Sequence, residues 1–132
     1  MTPFGAKLRE IRAQHGVTLK QMAASLGVSS AYLSALEHGR RGRPPHPLVV
    51  AICAQLNIIW DEADDLMRLA RLSHPRITVD TAGLSAQATE LANLLAERIR
   101  KLTPQEADGI LAILRNASLS KAGRRSRQKP VR

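Results

Sequence analysis

Three arginines, Arg40, Arg41 and Arg43, fall within four positions, directly behind a short segment carrying the hydroxyls of Ser29, Ser30, Tyr32 and Ser34. Guanidinium groups hold phosphates through paired N–H donors and stay charged at any physiological pH. Hydroxyls on a short helix can donate or accept at base edges. Together they suit recognition of a polyanion, which breaks no bond. Patterns suited to catalysis are missing. His15, His38, His46 and His74 stand at breaks in the chain with no metal-ligand spacing, and Cys53 is the only cysteine. No metal and no cofactor are expected. Asp61, Glu62, Asp64 and Asp65 crowd the start of a predicted helix, where the dipole favours carboxylates, so capping explains them better than acid–base chemistry. With no glycine-rich phosphate loop and no Ser–His–Asp set, an enzyme is not expected.

Helices must position this segment. The first is predicted from Pro3 to His15, with Phe4, Leu8 and Ile11 at helical spacing and Gly16 as its stop. The second starts after Thr18, which with Gln21 forms a capping box. Leu19, Met22, Ala23 and Leu26 form its apolar stripe, and Gly27 ends it, because glycine takes the left-handed conformation without a Cβ penalty. The third follows the N-cap Ser29. Leu33 and Leu36 turn inward with Val28, which leaves Ala31, Ser34, Ala35 and His38 on the outer face. A Pro/Gly/Arg loop, residues 40–47, precedes a fourth helix with Leu48, Val49, Ile52, Cys53 and Leu56 as its apolar face. A fifth covers about Trp60 to Leu72.

Residues 74–83 read as a linker, although Ile77–Val79 has the composition of a short strand. A sixth helix is predicted over about Ser85 to Lys101, with Leu84, Ala88, Leu91, Leu95 and Leu102 in a heptad seam that Ile99 widens. Thr103-Pro104-Gln105-Glu106 combines a capping box with proline at the first helical position, so a seventh helix follows, carrying Ile110, Leu111, Ile113 and Leu114. From Ser118 onward only a polar and basic tail without regular structure is expected.

The net charge is +9, and it is unevenly spread: +5 over residues 1–44, −2 over residues 45–120 and +6 over residues 121–132. Two basic ends around a mildly acidic middle form an electrostatic footprint for nucleic acid. Phe4, Tyr32 and Trp60 are the only aromatics, so the core must be aliphatic. No apolar run approaches the roughly 18 residues of a membrane span, and no signal peptide is apparent. A cytoplasmic protein without a membrane partner is expected.

Residues 4–72 resemble the Cro/CI-type (XRE) helix-turn-helix family. The resemblance rests on Phe4, Leu8, Ile11 and Arg12 in the first helix, Thr18 and Ala23 in the second, and Gly27-Val28-Ser29 at the turn. It continues through Tyr32-Leu33-Ser34, Leu36-Glu37 and Gly39-Arg40, then Leu56-Asn57-Ile58 and the acidic start of the fifth helix. It implies a five-helix DNA-binding domain that acts on transcription, with the third helix in the major groove. Ala23 fits the close crossing of the second and third helices. Ser30, Ala31, Tyr32, Ser34 and Ala35 are then the groove-facing residues. Thr18, Lys20, Ser29, His38, Arg40, Arg41 and Arg43 are the further DNA contacts.

One departure from the family matters. Its members often carry glutamine at the first positions of the second and third helices, where this chain has Leu19 and Ser30. The third helix holds no Arg, Lys, Asn or Gln, so the strongest base-reading side chains are missing from it. Two roles remain open for the arginines. They can contact phosphates at the end of the third helix, or they can enter a narrow A·T-rich minor groove, since Arg41-Gly42-Arg43-Pro44 resembles the core of an AT-hook. Modest intrinsic specificity is expected, with reliance on DNA deformability, paired sites or a second DNA-bending protein.

Two amphipathic helices alone bury their apolar faces poorly. The sixth and seventh either fold back on the N-terminal domain or pair with a second chain, and the homodimer is the preferred reading. Ala88, Leu91, Leu95, Ile99, Leu102, Ile110 and Leu114 would form its interface. The chain is therefore expected to be all-α, with a helix-turn-helix domain over residues 1–73, the linker, a two-helix dimerisation hairpin over residues 84–117 and a basic tail over residues 118–132. The expected function is sequence-selective binding of double-stranded operator DNA. Repression is preferred over activation, because occluding polymerase requires binding alone. The alternative is an antitoxin that binds a toxin and its own promoter.

Overall fold

A computed structural model of the chain describes the backbone of residues 1–127 and the side chains of residues 1–117. Among the described residues seven α-helices follow one another: α1 Pro3–His15, α2 Leu19–Leu26, α3 Ser30–Glu37, α4 His46–Leu56, α5 Trp60–Arg71, α6 Ala86–Arg98 and α7 Pro104–Arg127. A 3-10 turn, Ile99–Lys101, follows α6, and no strand occurs among the described residues. Ile77–Val79 is accordingly irregular. The chain divides into two units, Met1–Thr78 and Val79–Arg132.

The first unit is built around Phe4, Leu8 and Ile11 of α1, which are fully buried with Met22, Ala23, Leu33, Val49, Ile52 and Leu66. Burying a side chain of this kind contributes about 1.5–3 kcal/mol. The helix ends follow their local sequences. Thr18 Oγ1 accepts from the Gln21 N–H at 3.1 Å, and Gln21 Oε1 accepts from the Thr18 N–H at 2.9 Å, completing the capping box. Gly27 stands at φ 71° as the C-cap of α2, and Ser29 Oγ accepts from the Tyr32 N–H at 3.0 Å to start α3. Trp60, at the first position of α5, stands at φ 56° and is 80% exposed, so this bulky side chain opens its helix from a left-handed backbone.

The second unit contains no buried residue among its described side chains. Ser85 caps α6, and Thr103 and Glu106 form the reciprocal caps of α7 at 2.9 and 3.1 Å. Two boundaries differ from expectation. The α-helix of the sixth segment stops at Arg98, and its last residues tighten into the 3-10 turn ahead of Thr103-Pro104, where the residue before proline is kept extended. The seventh helix does not stop before Ser118 but continues to Arg127. A helix already nucleated extends at little cost through Leu, Lys, Ala and Arg. Residues 128–132 of the expected tail lie outside the described residues.

Candidate nucleic-acid interface

The segment that carries the candidate contacts is held from behind by charged and polar groups. Glu37, the last residue of α3, is 1% exposed. Its carboxylate accepts from Arg12 Nη2 of α1, 3.1 Å from Oε2 and 3.5 Å from Oε1. The Glu37 carbonyl oxygen accepts from the Thr2 N–H at 2.9 Å and from its hydroxyl at 3.2 Å, while Thr2 Oγ1 accepts from the Gly5 N–H at 3.0 Å. A Cβ at position 5 would overlap that same carbonyl, so the close approach of α1 and α3 requires glycine. On the other side, Ser73 Oγ accepts from the Phe4 N–H at 2.8 Å and donates to the Leu69 carbonyl at 2.6 Å. Thus the start of α1 is clamped between the ends of α3 and α5. Gln55 Nε2 of α4 donates to the Ser25 carbonyl of α2 at 2.6 Å, which fixes the other partner of the turn.

From this clamp α3 presents its outer face. Ser29, Ser30, Ala31 and His38 are exposed, and Ser34, Ala35 and Tyr32 are half-buried. Thr18 and Lys20 are exposed at the start of α2. Thr18 and Ser29 each use one hydroxyl lone pair on the helix caps described above, which leaves the O–H as a donor suited to a phosphate oxygen. The Nδ1 of His38 lies 2.9 Å from the Ser34 carbonyl. A carbonyl only accepts, so in this contact Nδ1 is the donor.

The arginines occupy different surroundings. Arg40, Arg41 and Arg43 are all exposed, and none forms an ion pair among the described residues. Arg41 folds back over α3, with its Cζ 5.3 Å from the centroid of the Tyr32 ring, within cation–π range. Gly42 stands at φ 81°, and Pro44 is buried, so Arg41-Gly42-Arg43-Pro44 is a turn anchored to the domain. Arg43 borders a cleft of about 390 Å³ shared with His46 of α4 and Arg71 of α5 and floored by Val49, Met67 and Ala70. Among the described residues no group of three or more His, Cys, Asp or Glu is arranged to hold a metal.

The residues missed in the sequence are the supports. Gly5 and Ser73 carry no individual signal for their roles, and Glu37, although part of the motif, carries none for its ion pair. Thr2 alone has a local signal, a threonine ahead of a helix-starting proline.

On the second unit, Leu91, Leu94, Leu95, Arg98, Leu102, Ile110, Ile113 and Leu114 line an apolar groove of about 290 Å³ between α6 and α7. Leu94 and Ile113 join the expected set, whereas Ala88 and Ile99 do not line the groove.

A short α2, a glycine-closed turn and an outward-facing α3 over a five-helix core define a helix-turn-helix domain. The chain belongs to the helix-turn-helix domain family, which matches residues 3–73. The resemblance to the Cro/CI-type branch is consistent with this. The chain is 38% identical over 61 residues to the uncharacterized HTH-type transcriptional regulator RghRB of Bacillus subtilis, covering 46% of this chain and 44% of that protein. It is 34% identical over 61 residues to the HTH-type transcriptional repressor RghR of the same organism, covering 46% of this chain and 45% of that one. The matched region therefore spans less than half the length of either relative. Among solved structures, the clp gene regulator ClgR from Corynebacterium glutamicum is 32% identical with a TM-score of 0.43, covering 70% of this chain and 86% of that one.

Proposed function

We propose that this chain is a sequence-selective, double-stranded-DNA-binding regulator of transcription, acting as a repressor and as a homodimer in the cytoplasm. The observation that carries the reading is the outer face of α3, where Ser30, Ala31, Ser34 and Ala35 are small, with an exposed Lys20 in the preceding helix and, directly after α3, three exposed arginines without ion pairs among the described residues. A helix with such a face enters a major groove without steric cost, and the flanking cations neutralise the strands beside it. Similarity to an HTH-type repressor and an HTH-type regulator supports the same reading. Among the described residues no helix is long and apolar enough to cross a membrane.

Binding alone carries the activity, and no catalytic step belongs to it. Thr18, Lys20, Arg40 and Arg43 contact the sugar–phosphate strands, and Ser30, Ala31, Ser34 and Ala35 approach the base edges. The second unit pairs with its counterpart in another copy, because the described residues of that unit leave its apolar groove open and Leu91 is 55% exposed. A two-fold dimer reads two half-sites about 34–36 Å apart or a multiple of it. With few base-reading side chains on α3, selectivity draws on paired half-sites, on DNA deformability or on a second DNA-bending protein.

A genome-wide map of DNA bound by the chain, combined with transcript changes on its deletion, tests the proposal. Discrete bound sites upstream of genes whose transcripts rise on deletion are expected. Uniform occupancy, or sites without transcript changes, would overturn it.

A further inference from the structure

We infer that Arg41, mounted on Tyr32, is the principal base-reading residue of the interface and hydrogen-bonds a guanine in the major groove. The inference rests on the DNA-binding reading above and deepens it. Three observations converge on Arg41. First, α3 lacks every side chain that makes a bidentate base contact, so any such contact must come from outside the helix. Second, the Arg41 guanidinium lies 5.3 Å from the Tyr32 ring centroid. Tyr32 is the third residue of α3, about 7.5 Å back along the axis from its last residue, Glu37. The loop after α3 thereby returns a guanidinium to the first turn of the recognition helix, the end that meets base edges in this motif. On a helical wheel Tyr32 stands about 60° from Ala35, at the margin of the outer face. Third, Arg41 forms no ion pair among the described residues, so its donors are not consumed within the domain.

The geometry suits guanine in particular. Stacking on a ring uses the flat face of the guanidinium and leaves its in-plane N–H groups directed outward. Guanine O6 and N7 accept two such parallel bonds, and no other base edge in the major groove offers that pair. The helix dipole disfavours a cation near the first turn of α3, so the ring, and not the dipole, accounts for the placement. The methyl side chains of Ala31 and Ala35 beside it add no bulk that would keep the guanidinium from the groove floor. Arg43, in contrast, shares its cleft with His46 and Arg71, a cluster fitted to phosphate.

The test uses the full-length chain and a random-sequence duplex library. Sequences enriched by the wild type give its preferred duplex, in which each guanine is then replaced by 7-deazaguanine, which lacks N7. One replacement is expected to weaken wild-type binding by about tenfold. Arg41→Ala should be insensitive to that replacement and lose its preference at that base pair alone, and Arg41→Lys should not restore it. Tyr32→Ala should lose the same preference, and adding Arg41→Ala to it should cost nothing more. Circular dichroism of each variant verifies that the helices persist.

Uniform weakening of all duplexes by Arg41→Ala, with a shallower salt dependence and rescue by Arg41→Lys, would assign Arg41 to phosphate and overturn the inference. A loss that follows A·T flanks and ignores 7-deazaguanine would place it in the minor groove and overturn it equally. In both cases the wild type still selects DNA, so the proposed function stands. A wild-type chain that enriches no sequence would remove the DNA-binding reading, and the role of Arg41 with it.

Discussion

Arg12 and Glu37, 25 residues apart in sequence, join the last turn of α1 to the last residue of α3 through a 3.1 Å ion pair. Glu37 is almost fully buried, and Arg12 Nε is buried with no hydrogen-bond partner, so the carboxylate depends on the guanidinium, whose side chain is itself only 12% exposed. Removing one member strands the other in a low-dielectric interior, which costs about 3–5 kcal/mol. Glu37→Ala should therefore lower the urea midpoint steeply. Arg12→Met combined with Glu37→Leu should recover most of the loss, because two apolar side chains of similar volume need no partner. Equal losses for the single and double variants would contradict this account of the pair.

The same carbonyl end of α3 predicts the behaviour of Gly5. A methyl group there would meet the Glu37 backbone, which has no rotamer to relieve the overlap. Gly5→Ala should destabilise the domain by about 1–3 kcal/mol, although alanine is the better helix former. Thermal unfolding measures it, and an unchanged or raised midpoint would show that α1 and α3 are not this close.

Much of the architecture was legible because it is written locally. Thr18 with Gln21 and Thr103 with Glu106 are three apart, and each pair forms the reciprocal cap that its spacing implies. Gly27 ends α2, and Ala23 is buried where two helices cross. The supports of the interface were not legible, since they depend on partners brought together only by the tertiary fold. Arg12 and Glu37 both carry the family resemblance, yet nothing local in the sequence pairs residues 25 positions apart. Arg41 reads as one of three equivalent arginines, and only the fold sets it apart by laying it on Tyr32. The unusual backbone of Trp60 gave no sequence signal, because tryptophan disfavours that conformation. The extension of α7 beyond Ser118 was masked by its basic, polar composition, which reads as irregular chain although most of its residues are good helix formers.

The apolar groove of the second unit predicts an oligomeric state. Leu91→Glu with Leu95→Glu places two charges in the surface that a second copy would cover. Sedimentation equilibrium should give a dimer mass for the wild type and a monomer mass for the variant. The variant should also lose the advantage of paired half-sites while keeping weak binding to one. An identical mass for both chains would rule out this surface as the dimer contact.

Cys53 of α4 is buried, and its thiol is pushed above the usual range, first by burial and then by the nearby Glu62 charge. The thiolate is the reacting species, so both effects slow modification. Labelling by iodoacetamide at pH 8 should be at least about tenfold slower in the folded chain than in urea. Equal rates would mean that α4 opens readily or that the thiol is accessible.

The central claim is that the outer face of α3 lies on DNA. Fluorescence anisotropy of the library-selected duplex, titrated with wild type and with Ala31→Glu/Ser34→Glu at low ionic strength, tests it most directly. The account predicts that the double variant loses at least about thirtyfold in affinity while its unfolding midpoint stays within error of the wild type. Undiminished binding by the double variant would contradict it.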